Sequence, residues 1–176
     1  MNYAESIYDN ININREILRN QFNQKIQSGI NVRYCILDDL LPHKDALELY
    51  SAFPNTTETR FISSFREKKY TSKNFDSFNP ILKKAIFSFQ YQKTVKLIEE
   101  ITNIRKQEPD PSLYAGGLSI MGNSHFLNPH IDNSHDNSRK LYRTLNLLYY
   151  VTPDWVESSG GHLELWDPSV MNKITI

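Results

Sequence analysis

The order of residue patterns along the chain is the feature that most constrains its fold. Helical periodicity dominates before Pro111, where Ala46 and Leu49 share a helical face and Asn79-Pro80 pairs a capping residue with a first-turn proline. After Pro111 the pattern changes to short apolar runs separated by Gly, Pro, Asn and Ser, typical of strands and turns. These runs are "SLYAGGLSIMG", "LYRTLNLLYYVTP" and "GGHLELWDP". The chain therefore predicts an α+β fold with its helices first and its β half last.

The N-terminal residues give a weaker pattern. Residues 1–30 are rich in Asn, Gln and charge, with Ile13 and Ile17 at loosely helical spacing before a Ser28-Gly29 break. This predicts a peripheral segment, 1–30, ahead of a single domain, 31–176. Within that domain, residues 32–41 have the β-branched and aromatic bias of a strand, and residues 55–78 read as a polar loop that packs through its aromatic side chains.

Length, charge and cysteine content limit the classes of function. The chain has 176 residues, 20 basic and 20 acidic side chains and one cysteine. One core is expected at this length, and the balanced charge gives no electrostatic footprint for nucleic acid or an anionic membrane. No run approaches the ~18 apolar residues of a membrane span, and no leader is evident. These features predict a cytoplasmic protein that acts on a small-molecule or peptidyl substrate.

The stretch "NPHIDNSHD" contains the strongest candidate for a metal site. His130 and Asp132 are separated by one residue, and at the mouth of a strand such residues point to the same side. With 5 His and 10 Asp in 176 residues, chance alone gives about 0.3 His-x-Asp tripeptides, so context must support the assignment. Nitrogen and oxygen ligands without sulfur suit non-haem Fe(II), and the spacing leaves zinc open.

The context of this pair resembles a known family. "HID", then "SRKLYRTLNLLYYVTPDW", then "GGHLELWDP" is similar to the prolyl 4-hydroxylase-like branch of the iron(II) and 2-oxoglutarate-dependent oxygenases. There, a His-x-Asp pair precedes an Arg-containing strand, a Tyr-rich strand centre, an Asp-Trp turn and a Gly-Gly hairpin. The resemblance covers most of residues 33–170 and is specific from about residue 110. Four ordered features are much harder to obtain by chance than one tripeptide.

The resemblance implies a fold and a reaction. The fold is a double-stranded β-helix, or jelly roll, with helices packed on it from the N-terminal side. The cofactors are Fe(II) and 2-oxoglutarate, with ascorbate as a further requirement in some relatives. The implied reaction hydroxylates an unactivated C–H bond of a prolyl, amino-acid or other small substrate and releases CO₂ and succinate.

The resemblance also assigns roles to individual residues. His130 and Asp132 match two metal ligands, and Tyr150 matches the phenol that hydrogen-bonds the distal carboxylate of 2-oxoglutarate. Asn146 is four residues before Tyr150, so on a strand it faces the same side and is the nearest polar neighbour for the cosubstrate. Arg143 matches an arginine near the substrate mouth. Core packing is the alternative for Tyr150, and a plain surface role is the alternative for Arg143.

Other polar residues of this region have simpler interpretations. His135 and Asp136 lie in a Ser/Asn-rich loop and are expected to be solvated. His162 follows a Gly-Gly pair and is expected to be a structural strand residue. Gly160 and Gly161 predict a tight turn with positive φ.

The family pattern extends past the position of Ile176. The second metal-binding histidine and the basic residue for 2-oxoglutarate both lie beyond that position in relatives, so the chain is expected to be the N-terminal part of a jelly roll with an open sheet edge. Self-association through that edge is expected. Two alternatives to an oxygenase remain: an inactive jelly-roll fragment serving as a binding module, and a zinc enzyme using His130, Asp132 and another histidine.

Overall fold

A computed structural model describes residues 2–24, 30–72, 74–114 and 116–176. The predicted Ser28-Gly29 break lies outside these ranges. The helices are α1 Tyr3–Ile13, α2 Arg15–Asn23, α3 His43–Ser51, α4 Pro80–Phe89 and α5 Gln92–Thr102. The strands are β1 Arg60–Ser63, β2 Glu67–Thr71, β3 Ser119–Ile120, β4 Phe126–Leu127, β5 Glu164–Trp166 and β6 Lys173–Thr175. Single 3₁₀ turns occur at Thr56–Glu58, Phe75–Ser77 and Glu157–Ser159.

The core lies between the helices, and the N-terminal helix is central to it. Tyr3, Ile7 and Ile11 recur every four residues and form one face of α1, which is buried against α4 and α5. The expectation of a peripheral N-terminal segment is therefore wrong for these residues. It was based on Ile13 and Ile17, which are 81% and 59% exposed.

The predicted start of α4 is confirmed. The Asn79 side chain accepts a hydrogen bond of 3.1 Å from the Ile81 N–H, and Pro80 occupies the first turn of α4. Helix α3 follows Pro42 and buries Leu49. Together these helices present an apolar surface on which part of the C-terminal half packs.

The main sheet is antiparallel and is organised around β2. One edge of β2 pairs with β1, in the register Phe61↔Tyr70, and the other edge pairs with both β3 and β4. The polar loop predicted for residues 55–78 is therefore wrong over the two strands of this hairpin. The apolar alternation is weak in "EKKYT", so the local sequence gave little indication of a strand that is stabilised by its pairing partners.

The α+β class is confirmed, and the details of the β half differ from the prediction. Strands β5 and β6 form a second, two-stranded sheet. Residues 32–41 and 143–151, all of them described, form no strand. The two described sheets do not by themselves make a jelly roll. Among the described residues, no helix has the length and apolar character that a membrane crossing requires.

Candidate metal centre

A local antiparallel turn brings the two halves of the candidate site together. His135 and Tyr142 form a β-bridge, with ring centroids 4.4 Å apart and ring planes tilted by 42°, and the Arg143 N–H donates to the Ser134 carbonyl. If the two segments keep this antiparallel register away from the turn, Asp132 lies beside residues 145 and 146. The segment before the turn carries the candidate ligands, and the segment after it supplies their polar neighbours.

His130 is held in one orientation by the main sheet. Asn128, two residues earlier, donates its side-chain amide to the Phe65 carbonyl and its N–H to the Arg66 carbonyl, which fixes the segment against the β1–β2 turn. The Asn128 carbonyl in turn lies 2.8 Å from His130 Nδ1. A carbonyl can only accept, so Nδ1 carries a proton, and Nε2 is the ring nitrogen that remains available to a metal ion. This is the arrangement that metal-binding histidines commonly have.

Asp132 faces Nε2 of His130. Its Oδ1 lies 3.2 Å from His130 Nε2, and the two side chains are 41% and 24% exposed. The other oxygen, Oδ2, accepts a hydrogen bond of 2.8 Å from Asn146 Nδ2 and lies 3.7 Å from Arg143 Nη1. Residues 128–134 are not in a strand, but the two side chains contact each other. Their assignment as metal ligands stays a prediction.

Charges on β2 contribute to the electrostatics of the site. Hydrogen bonding from Lys69, whose Nζ is 2.8 Å from the Glu67 carboxylate, lowers the pKa of Glu67, and the charges of Arg66 and His130 act in the same direction. Glu67 is therefore ionised at neutral pH.

Arg143 and Asn146 lie beside Asp132, fourteen or fewer residues further along the chain. The Arg143 guanidinium bridges Asp132 and the Tyr114 carbonyl, to which Nη2 donates a hydrogen bond of 3.1 Å. Arg143 is therefore more than a plain surface arginine, since its side chain is only 22% exposed. The predicted roles of Arg143 toward substrate and of Asn146 toward 2-oxoglutarate stay predictions.

Tyr150 is exposed, while its neighbour Tyr149 is packed. The Tyr149 ring lies 5.5 Å from that of Phe89 on α4 and packs against the helical core, which anchors the segment. Tyr150 is 64% exposed, and partial desolvation raises the pKa of its phenol, so the hydroxyl remains a donor at neutral pH. The core-packing alternative suits Tyr149 better than Tyr150.

The other three histidines of the C-terminal half have separate partners. His125 stacks near Phe61 and Tyr70, His135 receives or donates a hydrogen bond of 2.7 Å with Ser134, and His162 contacts the Glu157 carbonyl. The expectation that His135 is simply solvated is wrong, because its ring packs on Tyr142. Gly160 and Gly161 have φ of 69° and 80°, as predicted for their turn.

Asp136 is a residue whose importance the sequence interpretation missed. Its carboxylate accepts from the N–H groups of Ser138, Lys140 and Leu141 and from the Ser138 hydroxyl, and these hydrogen bonds hold its pKa well below the ordinary range. It therefore shapes the loop between the two halves of the site. The Asp-x-Ser spacing of "DNS" was the available signal, since aspartate commonly accepts from backbone N–H groups two residues on.

Comparison with known families bears directly on this region. Residues 116–176, about a third of the chain, match the model of the 2OG-Fe(II) oxygenase superfamily. This segment is similar to the 2OG-Fe(II) oxygenase superfamily. No curated protein and no solved structure matches the chain significantly. The resemblance drawn from the sequence is confirmed at the level of the oxygenase superfamily, and the prolyl 4-hydroxylase-like branch is not distinguished by the match.

The residues of the matched segment fit part of an Fe(II) site. His130 Nε2 and Asp132 Oδ1 provide a nitrogen and an oxygen donor that face each other, each with a supporting hydrogen bond on its other polar atom. Within the described ranges, no group of three or more His, Cys, Asp or Glu side chains could hold a metal ion. The described residues therefore supply two protein ligands of the kind that Fe(II) binds.

Proposed function

We propose that this chain carries the metal-binding half of an Fe(II)- and 2-oxoglutarate-dependent dioxygenase site. The observation that carries the proposal is the facing pair of His130 Nε2 and Asp132 Oδ1, 3.2 Å apart, inside the segment that matches the oxygenase superfamily. When bound, Fe(II) and 2-oxoglutarate supply the oxidising power for hydroxylation of an unactivated C–H bond. The protein's part is to hold ligands, cosubstrate and substrate in place.

Each proposed role follows from chemistry already present in the side chain. His130 would bind the ion through Nε2, because Nδ1 is committed to the Asn128 carbonyl. Asp132 would bind it through Oδ1. Tyr150 would donate its phenol hydrogen to the distal carboxylate of 2-oxoglutarate, which its raised pKa permits at neutral pH. Arg143 lies at the edge of the pair, where it would contribute to the substrate mouth.

Several finer features are part of the proposal. The chain would form one section of a jelly-roll core with the helices packed beside it, and its substrate would be a prolyl, amino-acid or other small molecule. Ascorbate would support turnover by keeping the iron reduced. Cytoplasmic localisation stays a prediction from the sequence.

A second candidate function is a binding module without turnover. Leu147 and Leu148 are each about half exposed, at 52% and 51%, in a segment that forms no strand within the described residues. Exposed apolar surface of this kind favours association with another polypeptide. A zinc enzyme has less support, because the neighbouring histidines have the separate partners described above.

Succinate formation tests the dioxygenase proposal. The chain would be assayed with Fe(II), 2-oxoglutarate and ascorbate in parallel with His130→Ala and Asp132→Ala, and we expect any turnover to collapse in both variants. His43→Ala, at the start of α3, and Asp9→Ala, exposed on α1, are matched controls that change the same residue types away from the site. Turnover retained in either site variant would refute the assignment of the ligands, and Fe(II) binding that both variants keep would refute the metal pair.

A further inference from the structure

The two oxygens of Asp132 have different environments. Oδ1 faces His130 Nε2, while Oδ2 faces two donors, the Asn146 amide at 2.8 Å and the Arg143 guanidinium at 3.7 Å. A carboxylate whose oxygens were equivalent could present either to a metal ion. Here the donors on one side leave only Oδ1 directed at the histidine.

We propose that Asn146 is a positioning residue that fixes the Asp132 carboxylate for metal binding, with Arg143 as a second and weaker support. The inference rests on the proposed function, since it assigns these residues to the same metal site. It gives Asn146 a role different from that of a cosubstrate ligand. Neither residue is proposed to touch the metal.

The chemistry of the amide supports this assignment. A carboxylate cosubstrate needs hydrogen-bond donors, and one of the two N–H groups of the Asn146 amide already donates to Asp132. The amide oxygen cannot bind a carboxylate. The contact to Asp132 is between residues 14 apart, so it depends on the folded turn and is not a local consequence of sequence.

Arg143 is held at several points, which makes it a fixed neighbour rather than a mobile cation. Its N–H donates to the Ser134 carbonyl, and its Nη2 donates to the Tyr114 carbonyl. Its 3.7 Å distance from Asp132 is longer than that of a hydrogen bond, so its effect is mainly electrostatic. We therefore expect Arg143 to matter less than Asn146.

The effect on metal binding should be measurable because Asp132 is partly exposed. Its side chain is 41% exposed, so without the two donors solvent would compete for Oδ2 and the carboxylate could rotate. Loss of a supporting hydrogen bond of this kind typically weakens metal binding by about 10–100-fold. The fold should be little affected, since neither residue is in the helical core.

Titration with Co(II), a spectroscopic substitute for Fe(II), tests the proposal on the full chain. Asn146→Leu keeps the approximate shape and removes the donor, and Asn146→Ser keeps a shorter donor. We expect about 10–100-fold weaker Co(II) binding with Leu, a smaller loss with Ser, and a smaller loss again for Arg143→Gln. Asn137→Leu, an exposed amide in the adjoining turn, is the matched control and should bind like the parent chain. The visible absorption of bound Co(II), which reports ligand geometry, should change in Asn146→Leu and not in the control.

The outcomes separate this inference from the proposed function. If the parent chain does not bind Co(II) in a manner abolished by His130→Ala, the metal site itself is wrong. If the parent chain binds and Asn146→Leu binds equally well with an unchanged spectrum, the positioning role is wrong while the metal site stands. If circular dichroism shows that Asn146→Leu is unfolded, the positioning role is decided by the Co(II) affinities of Asn146→Ser, Arg143→Gln and the control. Equal affinities in these three variants would overturn the inference.

Discussion

Replacing Asp132 by asparagine should separate metal binding from folding. The carboxamide has the shape of the carboxylate, and the surroundings determine its orientation. Its oxygen will face the Asn146 amide, where Oδ2 now accepts at 2.8 Å, which turns its NH₂ group toward His130 Nε2. The amide would then donate to the lone pair that the metal needs. Asp132→Asn thus removes one ligand and blocks the other.

The expected cost to folding is small. A hydrogen bond to a charged group contributes about 1.5–3 kcal/mol and one between neutral groups about 0.5–1.5 kcal/mol, so loss of the charge weakens the Asn146 contact by about 1 kcal/mol. The Asp132 side chain is 41% exposed, and solvent screening reduces this further. The free energy of unfolding should therefore fall by less than about 1 kcal/mol, which corresponds to less than about 4 °C in Tm for a chain of this size.

The expected cost to metal binding is much larger. Loss of a supporting hydrogen bond costs about 10–100-fold in metal affinity, and loss of a ligand should exceed that. Thermal unfolding and anaerobic Fe(II) titration of Asp132→Asn would be compared with Asp9→Asn, an exposed change of the same type on α1. Unchanged Fe(II) affinity would refute the role of Asp132. A large loss of stability accompanying the loss of affinity would show that the pair is mainly structural.

Three further predictions concern the surroundings of the metal pair. Tyr150→Phe should weaken 2-oxoglutarate binding by about 10–100-fold, through loss of one hydrogen bond to a carboxylate, while Fe(II) binding stays intact; unchanged cosubstrate affinity would make Tyr150 a packing residue. The pKa of Asp136 is lowered by its loop hydrogen bonds, so the order of this loop should be fully present above the ordinary aspartate pKa and lost as pH falls through the lowered one, as followed by the Leu141 amide signal in NMR. In Asp136→Ala, the Leu141 amide signal should be shifted from its native position at all pH values. An unchanged spectrum would contradict this account. Leu148, 51% exposed, should promote self-association, and Leu148→Lys should reduce light scattering by the purified chain, whereas equal scattering would exclude this segment as the contact.

The helices were predictable from the sequence where local chemistry decides them. Asn79-Pro80 specifies the start of α4 through a side-chain cap and a proline compatible with the first turn. The strands were less predictable because pairing with distant residues decides them. The hairpin β1–β2 forms in a stretch of weak alternation, while the apolar residues 143–151 form no strand in the described part of the chain.

The candidate site also has one part that local sequence predicts and another that depends on distant contacts. His130 and Asp132 are two residues apart, so their convergence could be expected from spacing alone. The contacts of Arg143 and Asn146 with Asp132 cross a turn ordered by Asp136, and no periodicity in the sequence specifies such contacts. The family resemblance pointed to the pair and to Arg143, and strand spacing added Asn146. Only the folded turn showed which oxygen of Asp132 these donors face.

The most direct test of the metal pair is site-resolved binding of Fe(II). The chain has five histidines, and each gives separate ring signals in NMR when the histidines are isotopically labelled. Paramagnetic Fe(II), added anaerobically in small increments, broadens the signals of the nearest ring first. We predict that the His130 signals broaden first, that those of His43 on α3 persist, and that Asp132→Ala abolishes the selectivity. Selective broadening of another histidine, with His130 unaffected, would contradict the assignment of the metal centre.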